Sequence, residues 1–295
     1  MKRILITGAN SYIGTSVERW LSKYPNKYKI DTLDMTDETW KEKDFSEFDV
    51  IFHVAGIAHI SSDLKMEDLY YKVNRDLTIE TAKKAKAEGV KQFIFMSSII
   101  VYGDSYSSNG IIDRNTIPTP NNFYGKSKLQ AELGIKELES DDFKIVILRP
   151  PMIYGNGSKG NYPKLAKIAK KFPIFPDINN MRSMLYIDNL CEFIKLVIDY
   201  EENGLFFPQN SEYVKTSEMV RLIAKVHGKK IVLTKVFNPI IRLMFRNGVI
   251  KKVFGNLAYE KSMSNYDKGN YQIRTFNESI ELTELESERS ESSYY

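Results

Sequence analysis

Short apolar runs recur along the first half of the chain: Arg3-Ile4-Leu5-Ile6, Tyr28 to Leu33, Val50 to Val54, Gln92 to Met96 and Ile145 to Leu148. Several are nearly continuous in apolar residues, as strands covered on both faces are. Helical patterns lie between most of them. Ile13, Val17, Trp20 and Leu21 share one face at helical spacing, and so do Leu69, Val73, Leu77, Thr81 and Ala85. Strand alternating with helix predicts a doubly wound α/β domain with a parallel sheet over residues 1–150. Only a short stretch around Glu38-Thr39-Trp40 separates the second run from the third, so that crossover is abbreviated.

After Pro150 the character changes. Proline, glycine and asparagine concentrate in Pro150-Pro151, Gly155-Asn156-Gly157 and Gly160-Asn161-Tyr162-Pro163. Such loop-rich material suits a smaller C-terminal lid over a cleft. We place that substrate-binding region in 151–183 and 201–282, with the chain returning to the first domain near 184–200. From Asn277 a short helix is expected that frays into a disordered, glutamate-rich tail over 283–295.

At 295 residues the chain can hold one large domain or two closely joined ones. No apolar run reaches the length of about 18 residues that a spanning helix needs, and the N-terminal apolar run is too short for a signal peptide. A cytoplasmic protein with no membrane partner is expected. The lone Cys191 forms no internal disulfide and sits in an apolar pattern, as a buried thiol does. Net charge is +4 with scattered basic residues, which argues against nucleic acid. His53, His59 and His227 are not at metal-ligand spacing, so no metal site is expected, and His53 reads as a core histidine.

The first strand runs into Thr7-Gly8-Ala9-Asn10-Ser11-Tyr12-Ile13-Gly14. In a strand–loop–helix setting this pattern can hold a dinucleotide. Gly8 permits the tight turn, Gly14 lets the helix pack on the sheet, and the helix N-terminus directs N–H groups at the phosphates. Asp34, twenty residues after Gly14, can accept from an adenosine ribose and would repel a 2′-phosphate. Tyr124-Gly125-Lys126-Ser127-Lys128 puts a phenol and an ammonium on one helix face, where the lysine can lower the phenol pKa and make it a usable base. Ser98, at the end of the fourth strand run, can hydrogen-bond the same substrate oxygen.

Here the chain resembles the extended short-chain dehydrogenases/reductases, in particular their sugar-nucleotide epimerase/dehydratase group. The likeness is carried by TGANSYIG, Asp44-Phe45, DVIFHVAG at 49–56, Asn74, SSIIVYGD at 97–104, YGKSK at 124–128, RPPMIYG at 149–155 and RSMLYIDNL at 182–190. It implies a Rossmann domain binding NAD through Gly8, Asn10, Ser11, Tyr12, Ile13, Gly14, Asp34, Asp44, Phe45, Val54, Ala55, Gly56, Asn74, Tyr124 and Lys128, with Asp44-Phe45 meeting the adenine. It implies Ser98, Tyr124 and Lys128 as catalytic residues. Ser98, Tyr124, Lys159, Asn161 and Arg182 would hold a nucleotide sugar, expected to be UDP-linked. Ser11 departs from the usual T-G-x-x-G-x-x-G, and that puts cofactor affinity rather than identity in question. Ile99 and Ile100 stand where the group's dehydratases carry Asp-Glu, so hydride chemistry at a carbinol remains: a 4-epimerase of a UDP-hexose or UDP-N-acetylhexosamine first, a 4-ketosugar reductase second. A non-catalytic NAD(P)-sensing protein is the alternative of another class, against which Ser98, Tyr124 and Lys128 argue. Tyr102 and Tyr154 read as packing residues and Asp188 as a helix-start residue. The resemblance further implies a homodimer joined through the helices near Met66–Ala87 and Tyr124–Leu138.

Overall fold

A computed structural model describes residues 1–58, 64–103, 110–246 and 248–292. His59 and Asp104 therefore lie outside the described residues. In chain order the first region holds β1 (Lys2–Thr7), α1 (Tyr12–Leu21), β2 (Tyr28–Leu33), β3 (Val50–His53), α2 (Glu67–Tyr70), α3 (Leu77–Ala87), β4 (Gln92–Met96), β5 (Ile111–Ile112), α4 (Phe123–Lys136) and β6 (Lys144–Leu148). Then follow β7 (Met152–Tyr154), α5 (Asn161–Lys171), β8 (Ile174–Pro176), β9 (Met184–Tyr186), α6 (Ile187–Asp199), β10 (Gly204–Phe206), α7 (Thr216–Val226), β11 (Val232–Thr234), α8 (Asn238–Leu243), α9 (Gly248–Phe254), β12 (Ala258–Tyr259) and α10 (Phe276–Ser292).

Six strands form one sheet in the order β10-β6-β4-β3-β1-β2, and every pairing in it is parallel. The order reverses between β1 and β3, the topological switch point at which such sheets bind ligands beyond their carboxyl ends. Ile4, Ile6, Phe52, Ile94, Val146 and Leu148 bury one face under α1 and α6, while Leu5, Ile51, Phe93, Phe95 and Ile145 bury the other under α3 and α4. Burial on both faces is what made these runs continuous in apolar residues. The crossover from β2 to β3 holds only a 3₁₀ turn, Glu38–Glu42, pinned by the buried Trp40.

Two boundaries differ from expectation. The return to the first domain runs past residue 200, because Gly204–Phe206 pairs with β6 as the sixth strand. The tail expected to be disordered is helical through Ser292, and Ile280, Thr283 and Glu284 are buried. Its glutamates are not all solvated: Glu284 accepts from Tyr162 Oη at 2.7 Å and pairs with Lys170 at 3.2 Å and His227 at 2.7 Å.

Candidate active site

The glycine loop sits at the switch point. Gly8 has φ +95°, and a Cβ there would lie 2.8 Å from Ala55 N, so the turn after β1 and the turn after β3 touch at a place only glycine fills. Val54 N donates to Thr7 O at 3.1 Å and continues that contact. Asn10 takes the left-handed conformation at φ 62°, one that asparagine tolerates. Ser11 is the N-cap of α1, and its Oγ accepts from Gly14 N at 3.1 Å. A Cβ on Gly14 would meet that Oγ at 2.7 Å, so Ser11 and Gly14 are fitted to one another. Tyr12 and Ile13 lie in the first helical turn, whose N–H groups have no intrahelical acceptor. The Tyr12 ring packs towards Gly155 and Gly157. The crossing loops and the open helix end form a cradle that fits a dinucleotide pyrophosphate.

The serine is therefore a cap. Ser11→Gly is expected to cost only a few tenths of a kcal/mol and Ser11→Ala about 0.5–2 kcal/mol, measured by urea unfolding, with cofactor affinity held in the glycine variant. A fall in that affinity without loss of stability would show that the hydroxyl serves a phosphate instead.

Asp34 follows β2 directly, exposed, with its carboxylate accepting from Thr36 N at 2.9 Å. Leu33 O accepts from Gly8 N and Ala9 N, which places Asp34 beside the glycine loop. Asp44 and Phe45 are elsewhere, and the expectation that they meet the adenine is corrected. Phe45 is fully buried, and its N–H donates to Glu88, the residue that follows α3, below the start of β4. Arg3, at the start of β1, pairs with Glu47 two residues on. The pair thus lies at the amino edge of the sheet, opposite the ligand edge, because the short crossover has already descended by residue 44.

Three predicted catalytic residues meet at the carboxyl end of β4. Ser98 caps a 3₁₀ turn, Ile99–Tyr102, through Ile100 N at 3.3 Å. Tyr124 lies in the first turn of α4, which Asn122 caps by accepting from Gly125 N at 2.9 Å. Burial pushes the Tyr124 phenol up to about 12; the neighbouring Ser98 hydroxyl opposes this and Tyr70 adds to it. Lys128 is buried, donates to Met96 O at 2.9 Å and lies over the Phe95 ring. Its ammonium is turned to that carbonyl. Burial brings Lys128 itself down to about 8, against an opposing pull from Glu132.

Stability should accordingly rise as pH climbs through about 8, because the native chain has shed a proton that the unfolded chain still binds. Lys128→Met should flatten that rise in urea melts taken on either side of pH 8. An undiminished rise in the variant would assign it to another group.

Between α2 and α3 the helix is π-wound over Tyr71–Asp76, a feature that often marks functional sites. It carries Asn74, whose Oδ1 accepts from Ile57 N at 2.9 Å and whose Nδ2 donates to Ile57 O at 3.1 Å and Ser127 Oγ at 3.3 Å. Asn74 thus holds the loop after β3 against α4 and has little capacity left for a ligand. Gly56 is in that loop, where a Cβ would lie 2.9 Å from Asn74 Oδ1 and 3.2 Å from Lys128 Nζ. His53 is fully buried between Thr7 Oγ1 at 2.7 Å and Thr78 Oγ1 at 3.1 Å, and burial lowers it to about 3. It is a core histidine.

Sequence reasoning missed the layer beneath the site. Glu132, one turn beyond Lys128, is forked by Arg149 through Nε at 3.0 and 3.1 Å and Nη2 at 2.5 Å, and it also accepts from Ser97. Arg149 further donates to Tyr102 Oη at 2.9 Å, and its carbonyl accepts from Tyr259 Oη at 2.9 Å. The available signal was the i, i+4 spacing of Glu132 from Lys128 and the arginine opening RPPMIYG.

In the second region Lys159 is exposed, while Asn161 is half-buried at the start of α5. Arg182 bridges Val214 and Leu257 and donates from Nη1 to Gly255 O at 2.9 Å. Nothing in these contacts joins Lys159 and Asn161 to Arg182. Tyr154 is fully buried and bonded to Ser279 and Asn210, a packing residue as expected, and Asp188 lies in the first turn of α6. Among the described residues no His/Cys/Asp/Glu group could hold a metal, and no helix is long and apolar enough to cross a membrane.

A doubly wound sheet, a glycine turn at its switch point and a Tyr-x-x-x-Lys helix beside the next strand end define the dinucleotide-dependent dehydrogenase/reductase class. Residues 4–206 match the NAD dependent epimerase/dehydratase family, and the chain belongs to it and is an NAD(P)-dependent enzyme. It is 32% identical over 246 residues to a UDP-glucose 4-epimerase of Vibrio cholerae, covering 76% of this chain and 75% of that one. It is 32% identical over 212 residues to an N-acetyl-alpha-D-glucosaminyl-diphospho-ditrans,octacis-undecaprenol 4-epimerase of Escherichia coli O157:H7, covering 65% and 62%. The fold matches the structure of a UDP-glucuronic acid 4-epimerase from Bacillus cereus in complex with NAD, with TM-score 0.73, 19% identity and 97% of each chain covered.

Proposed function

We propose that this enzyme interconverts C4 epimers of a nucleotide sugar, a UDP-hexose or UDP-N-acetylhexosamine. The observation that carries the reading is the convergence of Ser98, Tyr124 and Lys128 at one strand end, followed by Ile99 and Ile100, which have no proton to give or take. The relatives named as 4-epimerases support it. NAD, when bound, supplies the hydride acceptor at its nicotinamide C4 and a positive ring that favours the ionised phenol. Tyr124 takes the sugar hydroxyl proton and returns it, and Ser98 orients the same oxygen. Lys128 positions the cofactor, with Gly56 and Asn74 fixing the loop beside it. Gly8, Asn10 and the first turn of α1 receive the pyrophosphate. Arg182 takes the diphosphate of the sugar nucleotide, and Lys159 and Asn161 line its site.

The test is to incubate the purified enzyme with each UDP-sugar of an epimeric pair, with and without added reduced cofactor. An epimerase brings both to the same mixture without net consumption of cofactor. Stoichiometric consumption would make it a 4-ketosugar reductase.

Asp34 should make NAD(H) bind more tightly than NADP(H), since its carboxylate repels a 2′-phosphate. Titration with both forms checks this, and a preference for the phosphorylated form would turn Asp34 away from the ribose.

The homodimer reading rests on Leu69 and Leu133, both exposed, on the helix pair α2 and α4. Tyr70 is not available to that face, being buried against Phe123 and Tyr124. Light scattering showing a monomer at micromolar concentration would refute it.

A further inference from the structure

We propose that the surface built around α8 docks this enzyme on an anionic lipid bilayer. Val236, Phe237, Ile240, Leu243 and Met244 recur at helical spacing through α8 and its flanks, yet they point outwards. Their exposures run from 43% to 83%, while Ile241, beside Phe237 and Met244 on the same helix, is buried in the core. An apolar stripe facing water inverts the ordinary pattern of a surface helix. The strand pair beside it extends the patch, since β11 meets β8 with Val232 opposite Ile174 and both side chains exposed. Patches of this kind mark an interaction surface.

Charge identifies the partner. Between Glu218 and Glu260 the sequence holds no carboxylate and nine lysines and arginines. Lys230, Lys235, Arg242 and Lys252 are exposed around the stripe. Asp177 is paired with Lys215 at 2.6 Å and also feels Lys235, so it offsets the basic rim only in part. Apolar side chains flanked by basic ones are what enters the headgroup region of an anionic bilayer. A second copy fits poorly, because a two-fold contact would set this basic rim against itself. The segment ends at Gly255, whose carbonyl holds Arg182, so the docked face adjoins the second region of the site. Such docking needs no spanning run, on whose absence the expectation of no membrane partner rested.

The proposal is independent of which sugar is used. It is tested by flotation of the full chain with phosphatidylcholine vesicles and with vesicles containing phosphatidylglycerol. Binding to the anionic vesicles alone, weakened by salt, is expected. Ile240→Glu with Leu243→Glu should lower the bound fraction at least tenfold, and so should Lys235→Glu with Arg242→Glu, which leaves the apolar stripe intact. Both variants should keep the wild-type circular dichroism and NAD binding. No binding to anionic vesicles, or equal binding by the folded variants, would overturn the proposal. So would a wild-type oligomer that these substitutions dissociate, which would make the face a contact between chains.

Discussion

Replacing Tyr124 with phenylalanine is expected to lower turnover by about 10²–10⁴, the usual worth of a positioned acid/base. The ring stays between Tyr70 and α4, so shape is kept and the proton carrier is lost. Nucleotide-sugar affinity should be little changed, which marks an interaction made in the transition state. The split between kcat and KM distinguishes this from loose packing, which would move both. A variant retaining more than about a tenth of the wild-type rate would assign the proton to another group.

The second large effect is on stability. Arg149→Met is expected to cost about 3–5 kcal/mol near neutral pH, because it strands the Glu132 carboxylate in the interior. Glu132 and Arg149 are both nearly inaccessible, so the loss is not softened by water. The double change Glu132→Leu with Arg149→Met should recover much of the loss, since an apolar pair leaves no charge unpaired. Urea unfolding of wild type, single and double variants measures this. A single variant within about 1 kcal/mol of wild type would mean that Ser97 and water suffice for the carboxylate.

The strands were legible because burial on both sheet faces leaves a local mark, a run of apolar residues. The turn at Gly8 and the Tyr124–Lys128 face were legible for the same reason, since each is fixed by spacing within one element. What failed depends on where separate elements come to lie. Asp44-Phe45 matched by residue type, but the shortened crossover carried the pair to the amino edge of the sheet. Lys128 turns to Met96 O, a contact between α4 and β4 that spacing along the helix does not reveal. Glu132 and Arg149 pair from α4 and the end of β6, and neither segment announces its partner. The π-wound turn at Asn74 leaves the apolar periodicity of its helix almost intact, so only the backbone shows it. The tail was read from composition, yet its helix is fixed by single residues, Ile280 in the core and Glu284 between Tyr162, His227 and Lys170.

The most direct test of hydride transfer at C4 is to turn over a UDP-hexose deuterated at that carbon. Mass spectrometry and NMR then locate the label in the epimeric product. The account predicts that the deuterium stays at C4 in both epimers, with none released to water and no net reduction of cofactor, and that Tyr124→Phe stops the inversion. Loss of the label to solvent, or inversion that persists at the wild-type rate in that variant, would contradict it.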